Sequence, residues 1–178
     1  MLRTIVMNLA AAALTANVAL AADRKDLQVF NDISAAVNRY TQFTIFDDVN
    51  AGVKDGVATI GGETYNDVGR DSALAIAYRM PGVKDVVNEI KVSQVSMFDD
   101  SLRVRAARVL YGDSVLSRYA IDPARPIRII IDGGHVSLYG SVDSAMDKQI
   151  AGMRVGQVPG VFSVQNNLIV ENGSKQGL

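Results

Sequence analysis

The chain has no cysteine. That excludes disulfides, a thiol nucleophile, a cysteine-based metal site and the lipid-modified cysteine of a bacterial lipoprotein. It has no tryptophan and few other aromatics, so stacking platforms for nucleobases are not expected. The single histidine, His135, rules out a two-histidine metal site within one chain. It is also the only histidine a Ser-His-Asp triad could use, placed directly after a glycine pair, where an exposed turn or strand residue outweighs a general base. Neither G-x-G-x-x-G nor G-x-x-x-x-G-K-[ST] occurs, so no glycine loop is built to cradle a phosphate. The acidic pairs Asp47-Asp48 and Asp99-Asp100 do not continue into a calcium loop, and helix capping or solvated turns are the plainer reading. No acid, base and nucleophile come together, and no catalytic residue, cofactor or metal is implied.

What is present begins with an N-terminal address. Arg3 is followed by an uncharged run, Thr4 to Ala22, rich in Ala, Leu and Val. Ala19-Leu20-Ala21 is an A-x-A cleavage site, and Asp23-Arg24-Lys25-Asp26 follows at once, the layout of a secretory signal peptide over residues 1–21. A membrane anchor is the rival reading on length alone. Asn8, Thr15 and Asn17 interrupt the run, however, and alanine adds little transfer energy. The expected compartment is the periplasm, with no transmembrane helix in the mature chain and membrane contact only peripheral. Export and mild acidity argue against nucleic acid.

The mature chain then says the same thing twice. Residues 52–92, moved forward 78 positions, lie on residues 130–170 without a gap. Identities fall on Gly56/Gly134, Gly62/Gly140, Ala73/Ala151, Pro81/Pro159, Gly82/Gly160, Val83/Val161, Val86/Val164, Asn88/Asn166 and Val92/Val170. These are turn and strand positions, so a structural unit has been copied. Units this small bury modest cores, so the two are expected to pack on each other.

Each unit reads α-β-β-α-β. In the first, Leu27, Phe30, Ile33, Ser34 and Val37 form an apolar stripe on a helix over 26–40. An extended segment over 44–54 leads to an Asp55-Gly56 hairpin and a return strand over 57–64. Asn66 or Asp67 caps a second helix over about 67–80, with Gly69, Ala73, Ile76, Ala77 and Met80 on its core face. Pro81-Gly82 stops it, and residues 83–92 form the third strand. The second copy has a helix from a cap at Asp99 or Asp100 to about Leu116, then a loop over 120–126. Strands over 127–132 and 135–142 follow about Gly133-Gly134, then a helix capped by Asp143 or Ser144 and ended by Pro159-Gly160, and a strand over 161–171. The fold class is α+β, in two units over 22–94 and 95–172, each a three-stranded mixed sheet with two helices, and a disordered tail over 173–178. The first helices do not align at 78, because that shift sets Arg105 and Arg108 on the apolar Leu27 and Phe30. An insertion or deletion near Asp122–Pro126 is expected.

The halves differ in charge. Residues 23–92 hold eight Lys+Arg against eleven Asp+Glu, a net −3, and residues 93–178 hold nine against eight, a net +1. The basic groups concentrate at Arg103, Arg105, Arg108, Arg118, Arg125 and Arg128. Such a cluster reads either as a surface for an anionic partner or as a solvated helix face and arginine-rich loop. Beside it, Met97 and Phe98 form an apolar pair able to dip into a headgroup layer.

The order of elements resembles the BON domain, whose marks are a V-x-L-x-G strand and P-G-V-x-x-V-x-N-x-[IL]-x-V. The first copy has Val57-Ala58-Thr59-Ile60-Gly61-Gly62, with an extra residue before the glycine, then Pro81 to Val92 including Gly82 and Asn88. The second has Val136-Ser137-Leu138-Tyr139-Gly140, then Pro159 to Val170 including Gly160 and Asn166. The resemblance implies an exported, non-enzymatic protein of the soluble, osmotically inducible branch, concerned with envelope integrity under stress. It implies either anionic phospholipid or envelope proteins as partners, the latter in a chaperone or adaptor role. The arginines and the Met97-Phe98 pair favour lipid binding by the second unit; the duplication, which raises effective concentration, favours the protein partner.

Overall fold

The computed structural model describes residues 11–121 and 126–171, with side chains from residue 25 onward. Part of the expected leader, Arg125 and the expected tail lie outside the described residues.

The first unit contains α1 (Ala11–Arg39), β1 (Asp48–Lys54), β2 (Val57–Thr64), α2 (Asp67–Tyr78) and β3 (Asp85–Val92). β1 pairs antiparallel with β2, and β2 pairs parallel with β3 through the α2 crossover. The second unit contains α3 (Met97–Tyr111), the short α4 (Arg118–Ile121), β4 (Arg128–Asp132), β5 (His135–Tyr139), β6 (Ser141–Val142), α5 (Ala145–Gly156), β7 (Ser163–Asn166) and β8 (Ile169–Val170). Its sheet runs β4-β5-β7, and β6 and β8 continue the parallel pairing beyond Gly140. The expected α+β class and the α-β-β-α-β order are both present, with α4 an addition.

Both hairpins have two-residue turns with positive φ throughout. Asp55 and Gly56 stand at 55° and 81°, Gly133 and Gly134 at 55° and 80°. This mirror-image turn matches the twist of the paired strands. Gly62 and Gly140 have a different task. At φ of 103° and 115°, an added Cβ would lie 2.0 Å from the Asp48 carbonyl oxygen and 2.6 Å from that of Pro126. The two glycines are therefore equivalent, and the second strands align Ala58 with Val136 and Ile60 with Leu138. The first copy has no extra residue before its glycine.

The first helices are locked by a device the sequence reading missed. The Asp26 carboxylate accepts the turn amides of Asp55 (2.6 Å) and Gly56 (2.9 Å). The Asp99 carboxylate accepts those of Gly133 (3.0 Å) and Gly134 (2.9 Å). Asp99 is therefore a buried clamp; the cap of α3 is Ser96, which accepts from the Asp99 amide. Asp47 is likewise buried, taking the amides of Thr44 and Tyr65. Neither carboxylate sits in a solvated turn, and no metal-holding cluster occurs among the described residues.

The clamp fixes the rotation of each helix and corrects the expected stripe of α1. Val29, Ile33 and Val37 are buried, whereas Leu27 is 66% exposed and Phe30 is 37% exposed. Asp26 matches Asp99 at an offset of 73, so Leu102, Ala106 and Leu110 take the places of Val29, Ile33 and Val37. Against the offset of 78 in the strands, the second copy is five residues longer between first helix and first strand. α4 lies in this longer connection, and residues 122–125 of the expected insertion lie outside the described residues. α4 replaces a contact: Asp47 accepts the Tyr65 amide in the first unit (2.8 Å), and the Tyr119 hydroxyl accepts the equivalent Asp143 amide in the second (2.8 Å).

Two cores form, one per unit. One centres on Ile33, Ile60, Ala73 and Ala77, the other on Leu102, Ile129, Leu138 and Leu168. The units pack on each other through the segment before β1. Ile45 and Phe46 lie against the second core, and the Ile45 carbonyl accepts the Ile129 amide at 2.7 Å.

Candidate functional site

The six arginines separate by environment. Arg103 is 3% exposed: it donates to Asp100 and to the Ile131 carbonyl, and its guanidinium lies 4.8 Å from the Tyr65 ring centre. Arg128 bridges the units, donating to Asp48 (2.9 Å) and Asn38 (3.2 Å). Arg118 pairs with Asp147 and Asp143 and lies over Tyr119. Arg125 is outside the described residues. These three described arginines are occupied within the protein, which leaves Arg105 and Arg108 of α3.

Arg108 is exposed, and Arg105 is partly exposed with a buried Nε that has no hydrogen-bond partner among the described residues. The same helix presents Met97 (87% exposed), Phe98 and Val104. At helical spacing, Met97, Val104 and Arg108 fall on one outward face, with Phe98 and Arg105 beside it. Phe162, 70% exposed, stacks on Phe98 with ring centres 6.2 Å apart. Gly160 lies against Phe98 and Arg105, and Gly134 against Phe162. The turn glycines of the repeat thus form the floor of an exposed corner with two stacked phenyl rings and adjacent cationic groups.

Phe162 was not among the site residues read from sequence, although the repeat marks it. Its counterpart in the first unit is Lys84, which packs over Gly56 and donates to the Asp55 carbonyl at 3.0 Å. Phe98 likewise corresponds to Lys25 at the helix offset. Two lysines in one unit are two exposed phenylalanines in the other, a change the fold does not require.

The other candidates form no reaction centre. His135 is exposed, with Nδ1 2.7 Å from Ser163 Oγ and its ring edge-on to Phe162. Both members of this pair are exposed, and no carboxylate orients the imidazole among the described residues. A cavity of about 440 Å³ lies between the units, lined in part by Tyr40, Phe43, Ile45, Tyr111, Tyr119 and Arg128. Its tyrosine hydroxyls are engaged with Ser72, the Ile127 carbonyl and Asp147. Burial pushes the Tyr111 phenol well above its usual range. Burial also acts to raise Asp147, but hydrogen bonds from the Tyr119 and Ser144 side chains, with the Arg118 charge, hold it below the usual carboxylate range.

Residues 26–94 and 113–172 match the BON domain, and the chain belongs to that family. The second match begins after α3, the helix in which the copies differ. BON domains are associated with phospholipid binding and with envelope and osmotic-stress proteins, and are generally non-enzymatic. No curated protein sequence matches the chain. Among solved structures it is similar to two of CdsD, a structural protein of the type III secretion system of Chlamydia trachomatis. The C-terminal-domain structure shares 12% identity at a TM-score of 0.32, covering 82% of this chain and 67% of that one. The other shares 13% at 0.29, covering 82% and 94%. No described helix is long and apolar enough to cross a membrane.

Proposed function

We propose that this is an exported, periplasmic, non-enzymatic envelope-stress protein whose second BON unit binds anionic phospholipid at the membrane surface. The leader pattern supports export. The observation that carries the lipid reading is the corner where Phe98, Phe162 and Met97 stand exposed beside Arg105 and Arg108. Apolar side chains entering the headgroup layer and cations meeting its charge are the two components of reversible surface binding. Arg103, Arg118 and Arg128 hold the protein together and do not contribute.

Sedimentation with phosphatidylcholine vesicles, with and without phosphatidylglycerol, tests the reading. Binding is expected only with the anionic lipid. Basic residues near such a surface each contribute roughly 1 kcal/mol, so Arg105→Gln with Arg108→Gln weakens binding by about 30-fold. Arg118→Gln leaves it unchanged. Equal binding to both vesicle types contradicts the proposal.

A further inference from the structure

The two units treat the free edge of their first strands differently. In the second unit the edge of β4 is closed at three successive outward positions. The Ile127 carbonyl accepts from the Tyr111 hydroxyl, the Ile129 amide donates to the Ile45 carbonyl, and the Ile131 carbonyl accepts from Arg103. The equivalent outward residues of β1 are Val49, Ala51 and Val53. None has a hydrogen bond beyond β2 among the described residues. The helix positions matching Tyr111 and Arg103 are Asn38, which accepts from Arg128, and Phe30, which has no donor. An unpaired edge is a template for another strand.

A groove of about 280 Å³ runs along this edge between α1 and β1, lined in part by Phe30, Ser34, Val37, Val49, Ala51 and Arg128. The corresponding place in the second unit is filled by the segment around Ile45-Phe46, which adds a backbone hydrogen bond to the edge and apolar side chains to the core. The molecule thus contains both the filled and the open form of one groove.

We infer that the α1/β1 groove of the first unit binds a short apolar segment of another polypeptide, whose backbone carbonyl accepts the Ala51 amide as that of Ile45 accepts the Ile129 amide. Backbone pairing at a sheet edge gives affinity with little sequence demand, and the apolar groove selects β-branched or aromatic side chains. The site is separate from the lipid-facing corner and does not depend on it.

The test uses the full chain and a fluorescent peptide copying its own segment 42–48, Gln-Phe-Thr-Ile-Phe-Asp-Asp, read by anisotropy. The peptide is expected to bind, and a version carrying Phe43→Ser, Ile45→Ser and Phe46→Ser is not. Ala51→Pro removes the outward amide at an edge position that tolerates proline. Ser34→Arg fills the groove without touching the strand. Each variant is expected to weaken binding at least about tenfold, with circular dichroism reporting that it still folds. No binding by the native chain overturns the inference, as does undiminished binding by both folded variants, which places the peptide elsewhere. If the chain alone dimerises and Ala51→Pro restores the monomer, the occupant is a second copy, and the assignment to another polypeptide is overturned.

Discussion

Asp99 shows how much one side chain organises. Buried within the first turn of α3, it satisfies two turn amides some 35 residues away and sets which face of the helix meets the core. Asp99→Ala leaves both amides unpaired, and a loss of about 2–3 kcal/mol is expected in urea unfolding. A carboxylate in a first turn does either job, so local spacing reads Asp99 as a cap and leaves its distant partner unseen. Asp147 gives a pH prediction. Its folded pKa lies below that of the unfolded chain, so its stabilisation is present above the unfolded value, near 4, and is lost as pH falls through the depressed folded value. Acid titration of stability is expected to flatten below about pH 4 in Asp147→Asn, at a lower plateau near neutrality. An unchanged acid limb removes Asp147 from the account.

Among the elements, the hairpins, second helices and parallel third strands were legible because short-range chemistry sets them: glycines at positive φ, Asn66 and Ser144 as caps, and Pro-Gly at the stops. The extended segment expected over 44–54 is a strand only from Asp48, because Asp47 folds residues 44–47 into a turn by accepting from Thr44. The helix stripe failed for a related reason. Leu27 and Phe30 share helical spacing with Ile33 and Val37, and periodicity alone does not choose between them and Val29. The clamp does. Gly62 within β2 and Gly140 between β5 and β6 are glycines because another backbone passes where a side chain would stand. Gly62→Ala is therefore expected to cost about 3 kcal/mol, read as a lowered melting temperature. Gly52→Ala, with open space around it, is expected to cost under about 1 kcal/mol.

In the whole molecule, the duplication gave the division into units but not their docking. Nothing local in Thr44-Ile45-Phe46 announces a segment that leaves one core to complete another. That junction, together with Arg128–Asp48 and Arg103 under Tyr65, joins two small cores. The Ile45→Asp change is expected to split a single thermal transition into two, seen by calorimetry. Comparison of the copies remains the strongest guide to function: where Lys84 covers one turn glycine, Phe162 covers the other and stands exposed. The absence of cysteine allows a direct test, since a cysteine at position 162 or at position 84 is the sole attachment point for a polarity-sensitive apolar fluorophore. On adding phosphatidylglycerol vesicles, the probe at 162 is predicted to shift to the blue as it enters the headgroup layer, while the probe at 84 does not. Equal shifts at both positions, or none at 162, contradict lipid binding by the second unit.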